Sequence, residues 1–302
     1  MEPMSMISFF RDAKILSFDL ELSRDEKFHH LGAILSENQL SIKGNQEQAI
    51  QALDNLAKTA DLVLGHNILD FDLPWLSKQI HRPQHLLDKP VIDTLYLSPL
   101  AFPRNPYHKL VKDYKLVRDT LNNPVADARL ALSIFQEQLM ALNALPLAQR
   151  QLYQYLFSQG VLNPFNTEGL SLVFAKLTDL EPIKLSELPT IIKSVVQNKA
   201  CSNQLNRVIS DAIRQPALLL PLAYACAWLP VSGGNSVLPP WIWRRFPQTA
   251  EIINTIREQH CGDNFCSYCE KNHNSQYHLR RLFELDSFRP LPDGTPPPKN
   301  TG

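Results

Sequence analysis

The sequence carries no surplus of either charge: 30 Lys and Arg stand against 30 Asp and Glu in 302 residues. That removes the uniformly basic composition common among nucleic-acid binders, so any electrostatic footprint must be local. Long apolar runs are also missing. The longest, from Ala217 to Leu229, is interrupted by Pro221 and is too short to span a bilayer. No N-terminal segment joins a basic start to an apolar stretch and a small-residue cleavage site, so a cytoplasmic location without a membrane partner is expected. There is no G-x-x-x-x-G-K-[ST] loop, which excludes a P-loop ATPase motor in this chain, and there is no internal repeat. Cysteine is scarce. Of five, three fall at 261, 266 and 269, while Cys201 and Cys226 stand apart in helix-like sequence. In a cytoplasmic chain such clustering favours metal binding over disulfides.

What is present divides the chain in two textures. Residues 14–22 (KILSFDLEL) predict a strand, and 28–35 with 39–43 a meander after it. A helical period follows over 46–58, a buried strand over 61–66, a helix over 71–80 and a strand over 90–96. Residues 98–106 read as a loop, and 107–117 and 125–143 as helices. Strands first and then strand–helix alternation predict a mixed α/β sheet flanked by helices over residues 1–145. From 146 to 255 every segment looks helical: 147–159, 166–179, 186–198, 201–214, 216–229 and 247–259. Residues 230–240 are a Gly/Pro-rich loop. A Cys/His segment occupies 256–285, with a short helix near 276–285, and 286–302 is a Pro-rich tail expected to be disordered or a linker.

Acidic residues recur where the first part changes from strand to helix. Asp19 and Glu21 lie two apart on the first strand, so their side chains share a face. Taken alone such a pair reads as an exposed polar edge. Asp70 and Asp72 follow His66 and Asn67 after the second buried strand, where α/β folds place ligand-binding residues, although either could simply cap a helix. Asp127 falls in the first turn of the 125–143 helix, where it complements the helix dipole.

The order of these motifs changes their meaning. Phe18-Asp19-Leu20-Glu21, then Gly65-His66-Asn67 leading to Phe71-Asp72, then Asp127-Ala128-Arg129 resembles the three motifs of the DEDD (DnaQ-like) 3′→5′ exonucleases. Asp93, in Val91-Ile92-Asp93-Thr94-Leu95, matches a further segment of that pattern. The resemblance implies an RNase H-like mixed sheet and a nuclease that binds two Mg²⁺ or Mn²⁺ through Asp19, Glu21, Asp72 and Asp127. Hard divalent cations prefer such oxygen ligands, and a pair of them can stabilise both the attacking and the leaving oxygen of a phosphodiester. By the same resemblance Leu20 and Asn67 would lie near the terminal nucleotide. The pattern departs in one place: active members carry His at the position of Asn122 or Tyr at that of Asn123. An amide can orient water but cannot accept a proton at neutral pH. His66 and His108 are candidates for that role, the first more simply read as structural. Lys109, with Lys112, Lys115 and Arg118, could form a phosphate-contacting stripe.

Cys261-x4-Cys266-x2-Cys269-x3-His273 offers four ligands suited to one structural Zn²⁺, with His260 and His278 as alternative nitrogen donors. Beyond it, Leu282-Phe283-Glu284-Leu285-Asp286-Ser287-Phe288-Arg289-Pro290 resembles the aromatic–Arg segment at the entrance of RecQ-family helicase cores, with Glu284 at the usual Gly. The whole chain is similar to the N-terminal region of RecQ-like helicases bearing an exonuclease-like domain. It implies a 3′ end of single-stranded DNA as substrate, with RNA as the alternative, and a helicase module in cis or in trans. The rival expectation is a non-catalytic module that binds nucleic-acid 3′ ends or docks a helicase. Trp228, Trp241, Trp243 and Phe246 beside Arg244 and Arg245 read as a helical core with a basic rim rather than a base-stacking surface.

Overall fold

The computed structural model describes residues 4–105, 123–160, 165, 167–232, 237–263 and 265–273, and the side chains from residue 8 onward. Helix α1 (Met4–Asp12) precedes β1 (Ile15–Leu22), β2 (Phe28–Leu35) and β3 (Asn38–Lys43). Then come α2 (Gln46–Ala57), β4 (Leu62–Gly65), α3 (Asp72–Ser77), α4 (Gln84–Leu87), β5 (Val91–Asp93), α5 (Thr94–Ala101) and α6 (Pro124–Asn143). The remaining helices are α7 (Leu147–Gln159), α8 (Glu168–Thr178), α9 (Leu188–Val196), α10 (Ser202–Arg214), α11 (Leu219–Trp228), α12 (Pro240–Arg245), α13 (Gln248–Ile253) and α14 (Ser267–His273). Asn254–Glu258 extends α13 as a π-helical turn. Among the described residues beyond 145 there is no strand, and no helix is long and apolar enough to cross a membrane.

Among the described residues five strands form one sheet in the order β3-β2-β1-β4-β5. Strand β1 is antiparallel to β2 and parallel to β4, β4 is parallel to β5, and β2 is antiparallel to β3. Only β2 therefore runs against the other four. Such a mixed sheet needs helical crossovers between its parallel strands, and α2 and the α3–α4 pair supply them. Strand β1 is central and alternates as its sequence requires. Leu16, Phe18 and Leu20 enter the core, while Ser17, Asp19 and Glu21 share the opposite face.

Helix α6 lies on that second face. Ser17 donates its hydroxyl to the Ala128 carbonyl at 2.8 Å. Gly32 of β2, opposite Asp19 in the register, lets the helix approach: a Cβ there would stand 2.1 Å from the Val125 amide nitrogen. On the far edge, a Cβ at Gly169 of α8 would come within 2.3 Å of the Val91 carbonyl oxygen of β5. One hydrophobic core runs from the sheet through α6 and α7 into α8–α11, without a break near residue 145.

Several segments differ from the sequence expectation. The expected strand over 90–96 stops at Asp93, and the expected loop at 98–106 is occupied by α5 to Ala101. The Asp93 carboxylate accepts the Leu95 amide at 2.9 Å and caps the helix. All eight residues of α5 are buried, so no amphipathic period announces it. The helix expected over 71–80 ends at Ser77. Helices α1, α4, α12 and α14 lie where no helix was expected, the last in a Cys/His segment expected to be a loop. The expected helices over 107–117 and 276–285, and the tail from 286, lie outside the described residues.

Candidate metal centres

Three of the four expected carboxylates meet. Ligand oxygens of Asp19, Glu21 and Asp127 all lie within 4.8 Å of one another, a group that could hold a metal ion. Asp19 and Glu21 arrive together because they alternate with core residues on β1. Asp127 arrives because the first turn of α6 is laid over them. That turn is set by Asn123, whose side chain accepts the Ala126 amide at 3.2 Å, and by Pro124 at the first helical position. Asp127 is only 2% exposed.

Asp72 adjoins this group without belonging to the tightest cluster. It is 2% exposed, and its Oδ1 accepts the Leu20 amide at 2.9 Å. Burial first, and then the charge of Asp19 nearby, hold its carboxyl well above the usual range. A carboxyl whose charge is disfavoured by burial and by a neighbouring carboxylate is one whose ionisation a bound cation would favour.

The loop between β4 and α3 is organised by Asp93. Its oxygens accept the amides of Asn67 at 2.8 Å and Leu69 at 3.0 Å, besides that of Leu95. Burial pushes the Asp93 carboxyl up to about 7 against the pull of these three amides. Asn67 is left-handed, with φ 66°, a conformation Asn tolerates better than most residues. His66 Nδ1 lies 2.9 Å from the Thr94 hydroxyl, which also donates to the Gly65 carbonyl at 3.2 Å. One hydroxyl has one proton, so His66 donates from Nδ1 in this network.

The other expected site residues fall as follows. Leu20 contributes its amide to Asp72, while its side chain is buried on the opposite face of β1. Asn122, His108 and Lys109, with Lys112, Lys115 and Arg118, lie outside the described residues. Three contributions had no signal in the sequence. His30, opposite Glu21 in the register, is buried with its Nε2 2.9 Å from Ser41 Oγ. Burial first and Lys43 second keep its imidazole pKa below the ordinary value. Gly32 admits α6. Arg245 of α12 reaches the loop before Asp72: its Nε donates to the Tyr96 hydroxyl at 2.8 Å and pairs with Asp70 at 3.0 Å. Tyr96 in turn donates to Asp70. Around them Tyr96, Tyr224, Trp241 and Phe246 pack edge to face or tilted. Trp243 stays half exposed.

The second centre departs from expectation in one ligand. The sulfurs of Cys201, Cys261, Cys266 and Cys269 all lie within 4.8 Å of one another, a group that could hold a metal such as zinc. The expected fourth ligand, His273, is not in it. Cys269 and His273 lie four residues apart on α14, a spacing that would allow both to hold one ion, but Cys201 takes the fourth place. The His273 ring lies against Tyr268 and His260 instead. Cys201 fills the place because its amide is tied to the Ile256 carbonyl at 2.7 Å, which brings the start of α10 beside the cysteine loop. Spacing alone held no sign of a ligand so far from the other three.

No protein-family model matches the chain, and no curated protein matches it.

Proposed function

We propose that the chain is a metal-dependent 3′→5′ exonuclease of the DEDD type on an RNase H-like sheet, acting on the 3′ end of single-stranded DNA. The observation that carries this reading is the convergence of Asp19, Glu21 and Asp127 within 4.8 Å, with buried Asp72 hydrogen-bonded to the residue between the first two. Four acids from three separate segments, β1 and the starts of α3 and α6, are gathered here, and divalent cations between them would offset their mutual repulsion. The strand order and the single reversed strand also agree with the sheet that the motifs imply.

The donor set fits two hard divalent cations, Mg²⁺ or Mn²⁺. Asp19 would face both, Glu21 and Asp127 the nucleophile side, and Asp72 the other. Bound there, the cations supply charge neutralisation and an activated water. The chain's own groups do the rest. The Leu20 amide fixes Asp72, Asp93 holds the left-handed turn at Asn67, and Gly32 seats the helix that carries Asp127.

One observation favours a slower or purely binding module. Asn123, at a position where active relatives of the motif carry Tyr, spends its side chain capping α6. A positioned general base is worth about 10²–10⁴-fold, so turnover below that of a base-equipped enzyme is expected. The proposed link to a RecQ-like helicase, in cis or in trans, rests on the resemblance of the whole chain together with residues 282–290, which lie outside the described residues.

The test uses 3′-labelled and 5′-labelled single-stranded DNA with Mn²⁺ or EDTA, beside Asp19→Ala. Metal-dependent loss of the 3′ label, absent from the variant, is the expected result. Binding of DNA without cleavage by either protein would leave the non-catalytic module in its place.

A further inference from the structure

We propose that Cys201, Cys261, Cys266 and Cys269 bind a single structural zinc ion that fastens the start of α10 to the Cys261–His273 segment, with His273 outside the coordination sphere. The inference is independent of the nuclease reading. It rests on three separations: Cys201 to Cys266 Sγ 3.7 Å, Cys201 to Cys269 3.7 Å, and Cys261 to Cys269 3.5 Å. Thiolates about 2.3 Å from one tetrahedral ion sit ~3.8 Å apart. An iron–sulfur cubane attaches each cysteine to a different iron and spreads the sulfurs to roughly 6 Å or more. The arrangement therefore selects one ion over a cluster.

The surroundings suit a closed site. Cys201, Cys261 and Cys269 are buried and Cys266 is partly so, which leaves no open position for substrate. The Cys261 amide donates to Cys269 Sγ at 3.4 Å, and Asn203 Nδ2 donates to Cys261 Sγ at 3.5 Å. Such N–H···S bonds orient and stabilise coordinating thiolates. Cys201 is the cap residue at the start of α10, which fixes its position at the first turn of that helix. His273 has its Nε2 buried without a hydrogen-bond partner among the described residues, beside the Tyr268 and His260 rings.

The 302-residue chain, purified without added metal and without chelator, is measured for zinc and iron by mass spectrometry. About one zinc per chain and negligible iron are expected. Cys201→Ser should lose most of the zinc, and His273→Ala should keep it. Cobalt-substituted wild type supplies a reading that does not depend on a variant folding: its thiolate charge-transfer intensity should correspond to four sulfurs. Iron in place of zinc, no metal in the wild type, a three-sulfur cobalt spectrum, or zinc lost from His273→Ala but retained by Cys201→Ser would each overturn the assignment.

Discussion

Asp72 is the residue in which stability and function oppose each other most directly. Burial and the neighbouring Asp19 raise its pKa, and Asp93 behaves alike near 7. A folded-state pKa raised above the unfolded value gives stability that is complete below ~4 and is lost as pH rises through the folded value. The metal-free protein should therefore melt lower at pH 8 than at pH 5.5. Asp72→Asn keeps the acceptor for the Leu20 amide and removes the ionisable group. Measured by thermal melting in EDTA, its loss of stability between the two pH values should be smaller than that of the wild type. On the proposed nuclease function its exonuclease rate should fall as well, because a carboxylate assigned to the cations is gone. Parallel melting curves for the two proteins would contradict the assignment of Asp72 as a strained acid.

At the scale of elements, the site depends on how closely α6 can lie on the sheet. Gly32→Ala would place a Cβ 2.1 Å from the Val125 amide nitrogen, a contact with backbone that no rotamer can relieve. The helix must shift, and Asp127 with it. A cost of about 1–3 kcal/mol in chemical denaturation is expected, together with weaker Mn²⁺ binding by calorimetry. Unchanged metal affinity would mean that Asp127 is not positioned by this contact. The same element shows how far the sequence could be read. Strand β1 was legible because Asp19 and Glu21 alternate with Leu16, Phe18 and Leu20, and α6 as the helix expected over 125–143 with Asp127 in its first turn; the Asn123 cap that starts it was not read. Gly32 was not legible, since a glycine in a strand does not name the helix above it. Helix α5 was hidden by its complete burial, which erases periodicity. Cys201 was hidden because its partners lie beyond α10–α13, and only the fold brings them together.

Over the whole molecule, the helical part is built onto the carboxylate site rather than hung beside it. Tyr224 of α11 donates to the Tyr96 carbonyl at 3.0 Å, and Arg245 of α12 pairs with Asp70, two residues before Asp72. Removing this half-buried link should cost about 1–2 kcal/mol. A double-mutant cycle of Arg245→Ala and Asp70→Ala should give a coupling of about 0.5–3 kcal/mol. Additive effects would mean that the two residues do not act as a pair. The central claim is that the gathered acids form a divalent-cation site. Its most direct measurement is anomalous diffraction at the manganese edge from crystals soaked in Mn²⁺ at pH 8. Peaks within ligand distance of Asp19, Glu21 and Asp127, with one beside Asp72, are predicted; an empty carboxylate group at saturating Mn²⁺ would contradict the account.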